Sequence, residues 1–271
     1  FLGVWIFGRD RLPKKVHLLS IWLVAFASNL SAYWILVANS FMQQPEGFAV
    51  RNGRAEMTDF LAVITNPHVL LQFPHTVLAG LVTAAVFLMG ISAYMILKKN
   101  NPEVFAKALK FGAAVGLVAV IAIAVVGDLQ GKYLVKTQPM KMAAAEALWE
   151  TQQPASLSLF SIIDEEKKQN TFEISLPNML SFMSYGNFDG KVPGINELQA
   201  QLEKEFGPGN YIPPVTLSFW SLRIMVGFTV VLFLAALLAL LILRKDKIFC
   251  ANWLLKTLIF MIPVPYICNS F

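Results

Sequence analysis

The chain has 271 residues, of which 56% are hydrophobic and only 14% charged, and its mean hydropathy is +0.58. That balance excludes an ordinary soluble domain and puts most of the length in lipid or in helix contacts. The formal charge of +5 would suggest a nucleic-acid partner in a polar protein; in an apolar one its meaning depends on which side of a membrane the cations occupy, and no nucleic acid is expected.

The opening FLGVWIF is apolar but lacks the basic start and cleavage site of a signal peptide, and reads as the tail of a helix cut short. Windows of about 20 residues, the length that crosses a bilayer as helix, find apolar stretches at 17–41, 72–97, 104–127, 216–243 and 251–268. The last is expected to span only in part, because PVPY at 263–266 bends or ends a helix. Basic connections alternate with these stretches: Arg9, Arg11, Lys14 and Lys15; Lys98, Lys99, Lys107 and Lys110; Arg244, Lys245, Lys247 and Lys256. Their only acids are Asp10, Glu103 and Asp246, whereas the other connections are acidic on balance, so the basic side is expected to face the cytoplasm.

The fold expected is therefore an all-α membrane protein, a polytopic transmembrane helix bundle with a long extracytoplasmic loop. It divides into 1–127, a stub plus three spans; 128–215, the loop; and 216–271, one full span and one partial. Within the loop, KMAAAEALWETQ at 141–152 has helix composition, FDGKVPG and FGPGNYIPP are turn-rich, and DEEKK at 164–168 reads as a solvated connection without calcium-site spacing.

His75, in QFPHTVLAG, sits at the outer end of a span behind a proline well suited to starting a helix, either as a satisfied structural histidine or as a ligand. Met225, in SLRIMVGF, begins the next inward-running span at a comparable depth. An imidazole and a thioether together would saturate a low-spin heme iron, although a lone methionine is usually core. Arg223, the one cation in the 216–243 stretch, lies about 200° around the helix from Met225; it either snorkels to the surface or reaches an anion such as a heme propionate. Ser28, Ser31 and Asn39 form one polar seam expected to face protein, as interhelical glue or as part of a proton route. His17 and His68 are placed where water reaches them, and Cys250 and Cys268 are read as structural. No nucleotide, zinc-protease or other metal motif is present in the sequence.

The strings WLVAFASNLSAYWILVANSFMQQPEGF (22–48), QFPHTVLAG (72–80), GDLQGKYLVKTQPMKMAAAEALWETQ (127–152) and SFWSLRIMVG (218–227) resemble subunit I of cytochrome bd quinol oxidases. The similarity runs in order over nearly the whole chain and weakens between 155 and 212. The resemblance implies a respiratory quinol:oxygen oxidoreductase of the bacterial or archaeal cytoplasmic membrane, with the 128–215 loop outside. It implies that His75 and Met225 are axial ligands of a low-spin heme b, that Arg223 lies at its propionates, and that the loop binds quinol, either ubiquinol or menaquinol. Lys141, Glu146 and Asp128 match positions implicated in quinol oxidation: Glu146 as proton acceptor, Lys141 orienting a quinol oxygen, and Asp128 at the loop's entry. On an ideal helix Lys141 and Glu146 would point about 140° apart, so the ligand lies across the helix edge or the loop is irregular there. Ser31 and Asn39 match positions near the family's proton route.

The implied partners are subunit II, a small single-helix subunit, oxygen and the lipid bilayer. The complete subunit also carries a high-spin heme b and heme d. Their main ligands belong to helices expected beyond both ends of this chain, and its ending ICNSF departs from the family's pattern. Oxygen reduction by this polypeptide alone is therefore not expected. The competing readings are a truncated, non-catalytic subunit that only docks to its partner, and a transporter, for which the paired broken helices or repeats are missing.

Overall fold

The structure, a computed structural model, describes residues 1–244 and 248–270; Lys245, Asp246 and Lys247 of the third basic connection lie outside the described residues. Four helices among the described residues are long and apolar enough to cross a membrane: Lys14–Gln43, Phe60–Leu97, Pro102–Thr137 and Val215–Arg244. By its contacts the chain falls into two units, Phe1–Val77 and Leu78–Phe271.

The first unit holds α1 (Leu2–Phe7), α2 (Lys14–Gln43), a hairpin of β1 (Phe48–Arg51) and β2 (Arg54–Met57), α3 (Phe60–Ile64) and the start of α4 (Pro67–Leu97). The hairpin turns on Asn52-Gly53, both at positive φ, the Asn-Gly signature of a tight turn. Asp59 caps α3 by accepting from the Ala62 N–H at 3.0 Å. Tyr33 ties α2 to α3 and α4, donating to the Ile64 carbonyl at 2.5 Å and meeting the Phe73 ring edge-on at 5.1 Å.

Two features of this unit differ from expectation. The seam expected to face protein is not covered by the described residues of this chain: Ser28 and Ser31 are exposed, and the Asn39 amide oxygen is taken by Gln43 on the same helix. His68, expected to be wet, is 3% exposed, because α4 starts at Pro67 rather than at Pro74 and Asn66 accepts from the His68 N–H at 2.8 Å.

The second unit is built on the rest of α4, α5 (Pro102–Thr137) and α9 (Val215–Arg244). Lipid offers no hydrophobic drive for helices to associate, so close approach of small residues must do it. Gly112 and Gly116, one turn apart on α5, receive Met89 and Ala85 of α4; a Cβ at either glycine would lie 3.2 Å from its neighbour. On α9, Ala235, Ala236 and Ala239 are buried in the same cluster. The apolar stretch at 251–268 forms two short helices, α10 (Asn252–Phe260) and α11 (Val264–Ser270), neither long enough to cross a bilayer alone. The chain turns at Met261–Pro263, where Ile262 fills the space beside Gly90.

α5 does not stop where the loop was expected to begin at 128, but runs on to Thr137. A folded platform comes next: α6 (Pro139–Ala145), a hairpin of β3 (Leu157–Asp164) and β4 (Gln169–Leu176), α7 (Met179–Tyr185) and α8 (Ile195–Phe206). The fold is helical in the main, as expected; the two hairpins are what the expectation lacked. DEEKK is the turn of the second one. The platform's core joins Ala143, Ala144 and Trp149 to Ile195 and Leu198, and closes over Val215 and Phe219 at the start of α9.

Candidate functional site

The platform and α9 are joined by a buried ion pair. Val215 and Phe219 are wholly buried in the first turns of α9, and Arg223, four residues past Phe219, therefore emerges over the same face. Its guanidinium carbon stands 4.6 Å above the Phe219 ring. Nε donates to the Ser158 carbonyl at 2.7 Å. Nη1 donates to Oε1 of Glu146 at 3.5 Å, and Nη2 makes the closer bond to Oε2. The two side chains are 13% and 3% exposed, so the pair is withdrawn from water on both sides. This is the fork geometry for which arginine is suited and lysine is not.

Local folding explains how each partner arrives. The helix composition at 141–152 predicts a helix through Glu146, but α6 ends at Ala145 with Glu146 as its C-cap. Ala147 then takes φ +50 and turns the chain away. Tertiary bonds hold that turn open. Trp149 Nε1 donates to Asn170 Oδ1 at 3.1 Å, and Asn170 Nδ2 donates to the Ala147 carbonyl at 3.0 Å. The carbonyls of Leu148 and Trp149 accept from the first N–H groups of α8 at 2.8 and 3.1 Å. Gly194 lets α8 approach: a Cβ there would overlap the backbone of Glu150. The Ser158 carbonyl is available because the β3–β4 register shifts between Ser158 and Phe160, and such a bulge takes a carbonyl off the ladder.

Burial pushes the Glu146 carboxyl above the usual glutamate range, against the opposing charge and hydrogen bonds of Arg223. A buried carboxyl held by a fork and perturbed upward is what proton-transfer chemistry requires, although structural ion pairs show the same signs.

The other expected site residues are more dispersed. Lys141 is on the exposed side of α6, with no hydrogen bond or ion pair among the described residues. It and Glu146 diverge because the helix ends between them. Asp128 lies within α5 and pairs with Lys132 one turn on at 2.7 Å, the two side chains 42% and 37% exposed; it bonds neither Lys141 nor Glu146. Met225 is half-buried on α9. His75, in the first unit, is half-buried with its ring Nδ1 out of water and without a hydrogen-bond partner. Pro74, expected to start that helix, lies inside α4 instead, where it removes one backbone N–H from the ladder just before the histidine. No group of three or more His, Cys, Asp or Glu side chains that could hold a bare metal ion occurs among the described residues.

Ser158, Phe219 and Asn170 were missed from the sequence. Only Phe219 left a signal there, as an aromatic one helical turn before the one cation of the 216–243 stretch.

A multi-pass helical membrane protein whose folded loop is clamped to one span by a buried carboxylate–guanidinium pair is the class that these features define. Residues 1–271 match the family of cytochrome bd terminal oxidase subunit I, and the chain belongs to that family. It is 48% identical over 271 residues to the cytochrome bd ubiquinol oxidase subunit 1 of Bacillus subtilis (strain 168), an alignment covering 100% of this chain and 58% of the relative. It is 33% identical over 326 residues to the cytochrome bd-II ubiquinol oxidase subunit 1 of Escherichia coli (strain K12), covering 98% and 63%. Among solved structures it is similar to the bd oxidase of Geobacillus thermodenitrificans, with a TM-score of 0.86, 30% identity, and 99% of this chain and 60% of that one covered. The chain thus spans about three-fifths of the length of these relatives.

Proposed function

We propose that this chain is the part of a quinol:oxygen oxidoreductase at which quinol is oxidised and its electrons enter. The observation that carries the reading is the Glu146–Arg223 pair, because it sets a perturbed carboxyl against the first turns of the helix bearing Met225. Quinol oxidation releases two protons with its two electrons, so the site needs a base beside the electron acceptor. Glu146 is that base: burial raises the affinity of its carboxyl for a proton. Lys141, exposed and uncommitted among the described residues, orients a quinol oxygen. Asp128, on the exposed end of α5, is held by Lys132 and acts on the site's charge rather than on the substrate.

His75 and Met225 are the residues that would hold a low-spin heme b. The buried, unpartnered ring nitrogen of His75 and the half-buried thioether of Met225 fit that group in donor chemistry. Bound there, the heme supplies one-electron transfer without oxygen binding. Arg223 has spent three of its five N–H donors on Ser158 and Glu146, leaving two for a propionate. Ser31 and Asn39 are proposed to serve a proton route toward the oxygen site rather than the quinol site. The high-spin heme b and heme d are assigned no ligand in this chain. Subunit II and a small single-helix subunit are the protein partners, ubiquinol or menaquinol the reductant, and the platform faces outward from a bacterial or archaeal cytoplasmic membrane.

The test is a reduced-minus-oxidised spectrum of the protein together with quinol turnover. His75→Ala and Met225→Leu should each abolish the low-spin b band. Glu146→Gln should slow turnover while that band persists. A band unchanged in both ligand variants, or full turnover in Glu146→Gln, overturns the assignment.

A further inference from the structure

The β3–β4 hairpin is amphipathic in the sense opposite to one that faces water. Its register pairs Phe160 with Ile174 and Ile162 with Phe172, which puts these four side chains on one face. All four are exposed, between 39% and 54%. The opposite face carries Ser161, Asn170 and Glu173; Ser161 is wholly buried, and Asn170 is bonded to Ala147, Trp149 and Glu173. A water-facing antiparallel hairpin does the reverse, apolar side in and polar side out.

What covers the apolar face is indicated by its position. Phe160 meets the Trp220 ring edge-on at 5.1 Å. Trp220 is in the second turn of α9, whose apolar window has a mean hydropathy of 3.0 and is only 22% buried within the chain. A tryptophan at the mouth of a span sits at the boundary of lipid and water. Leu217 and Ile224, exposed on α9 around it, continue the apolar surface along the span. No charge interrupts the four-residue face, since the hairpin's charges are gathered in the Asp164–Lys168 turn and at Glu173 on the other side.

We propose that the apolar face of the β3–β4 hairpin rests in the interfacial zone of the lipid bilayer beside α9, as a brace that lies on the membrane without crossing it. The occupant is lipid because the face is continuous with the exposed apolar surface of α9, a helix long and apolar enough to cross a membrane, and is met by the tryptophan at that helix's mouth. The same strand supplies the Ser158 carbonyl to Arg223, so seating in lipid also fixes the strand that holds the ion pair. The brace serves this purpose whatever chemistry the platform performs.

The test places a nitroxide on the full protein reconstituted in phosphatidylcholine nanodiscs, in a background with Cys250→Ser and Cys268→Ser. Labels go at Ile162→Cys and Phe172→Cys on the apolar face, and at Lys167→Cys on the turn. All three positions are exposed, so single cysteines leave the packing intact. The ratio of collisions with oxygen, which partitions into lipid, to collisions with a water-soluble nickel chelate should be several-fold higher at 162 and 172 than at 167. Equal ratios at all three sites overturn the proposal. Labels at 162 and 172 shielded from both reagents show that protein covers the face, and overturn it as well.

Discussion

Arg223 and Glu146 are 77 residues apart in sequence, yet the guanidinium spans both oxygens of the carboxylate in a site closed to water. Neither charge could stay there alone. Taking an ion out of water costs several kcal/mol, which mutual attraction and the bond to Ser158 offset. Such a pair is weak evidence of stability in itself, but breaking it from one side is costly.

Arg223→Gln is therefore expected to destabilise the protein by about 3–5 kcal/mol, because it strands the Glu146 carboxyl in the platform core. The double replacement Arg223→Met with Glu146→Leu should recover most of that loss, since no charge is left buried. Melting temperatures of Arg223→Met, of Glu146→Leu and of the double variant in one detergent form the cycle that checks this. Additive losses would mean that the two groups do not interact.

The proton affinity of Glu146 gives a second expectation. Burial raises it and Arg223 lowers it, with burial the larger effect. The carboxyl should titrate above the usual glutamate range in the folded protein, and higher still in Arg223→Gln, where the lowering influence is gone. Because its folded affinity exceeds the unfolded one, its contribution to stability is complete below the unfolded pKa and is lost as pH rises through the folded value. The protonated-carboxyl infrared band assigned by its absence in Glu146→Gln reports the titration directly. A midpoint in or below the ordinary glutamate range would show that pairing outweighs burial.

Asn170 holds the platform turn at which Glu146 sits. Its amide accepts from Trp149 and donates to Ala147, so Asn170→Ala leaves an indole N–H and a carbonyl without those partners. A cost of about 1–3 kcal/mol is expected, accompanied by a change in tryptophan fluorescence as the ring loses its acceptor. Asn170→Asp should keep the acceptor and preserve more of both signals, and thermal melts followed by fluorescence separate the two variants.

Long apolar runs made the four spans legible, because a bilayer demands about 20 apolar residues whatever the tertiary fold. The ends of the elements were less so. Lys141 to Gln152 reads as a helix on composition, but bonds from Asn170 and from the start of α8 override that propensity after Ala145. Asn52-Gly53 is a local turn signal for its hairpin, short beside the long apolar runs on either side. Arg223 was visible as a lone cation in a span, whereas its partnership with Glu146 depends on a strand bulge and a helix end that no local pattern encodes.

Lys141 provides the cleanest separation of structure from chemistry. It is exposed and makes no hydrogen bond or ion pair among the described residues, so Lys141→Ala should change stability by no more than about 0.5 kcal/mol. Its proposed role is to orient a quinol oxygen, and that interaction exists only with substrate present. Lys141→Ala should therefore raise the KM for quinol while leaving the melting temperature and the heme spectrum unchanged, and Lys141→Arg should restore part of the affinity because a cation returns. Glu146→Gln should lower kcat instead, since it removes the proposed proton acceptor rather than a binding contact. Steady-state kinetics on these variants separate the two roles, and an unchanged KM in Lys141→Ala would remove the lysine from the site.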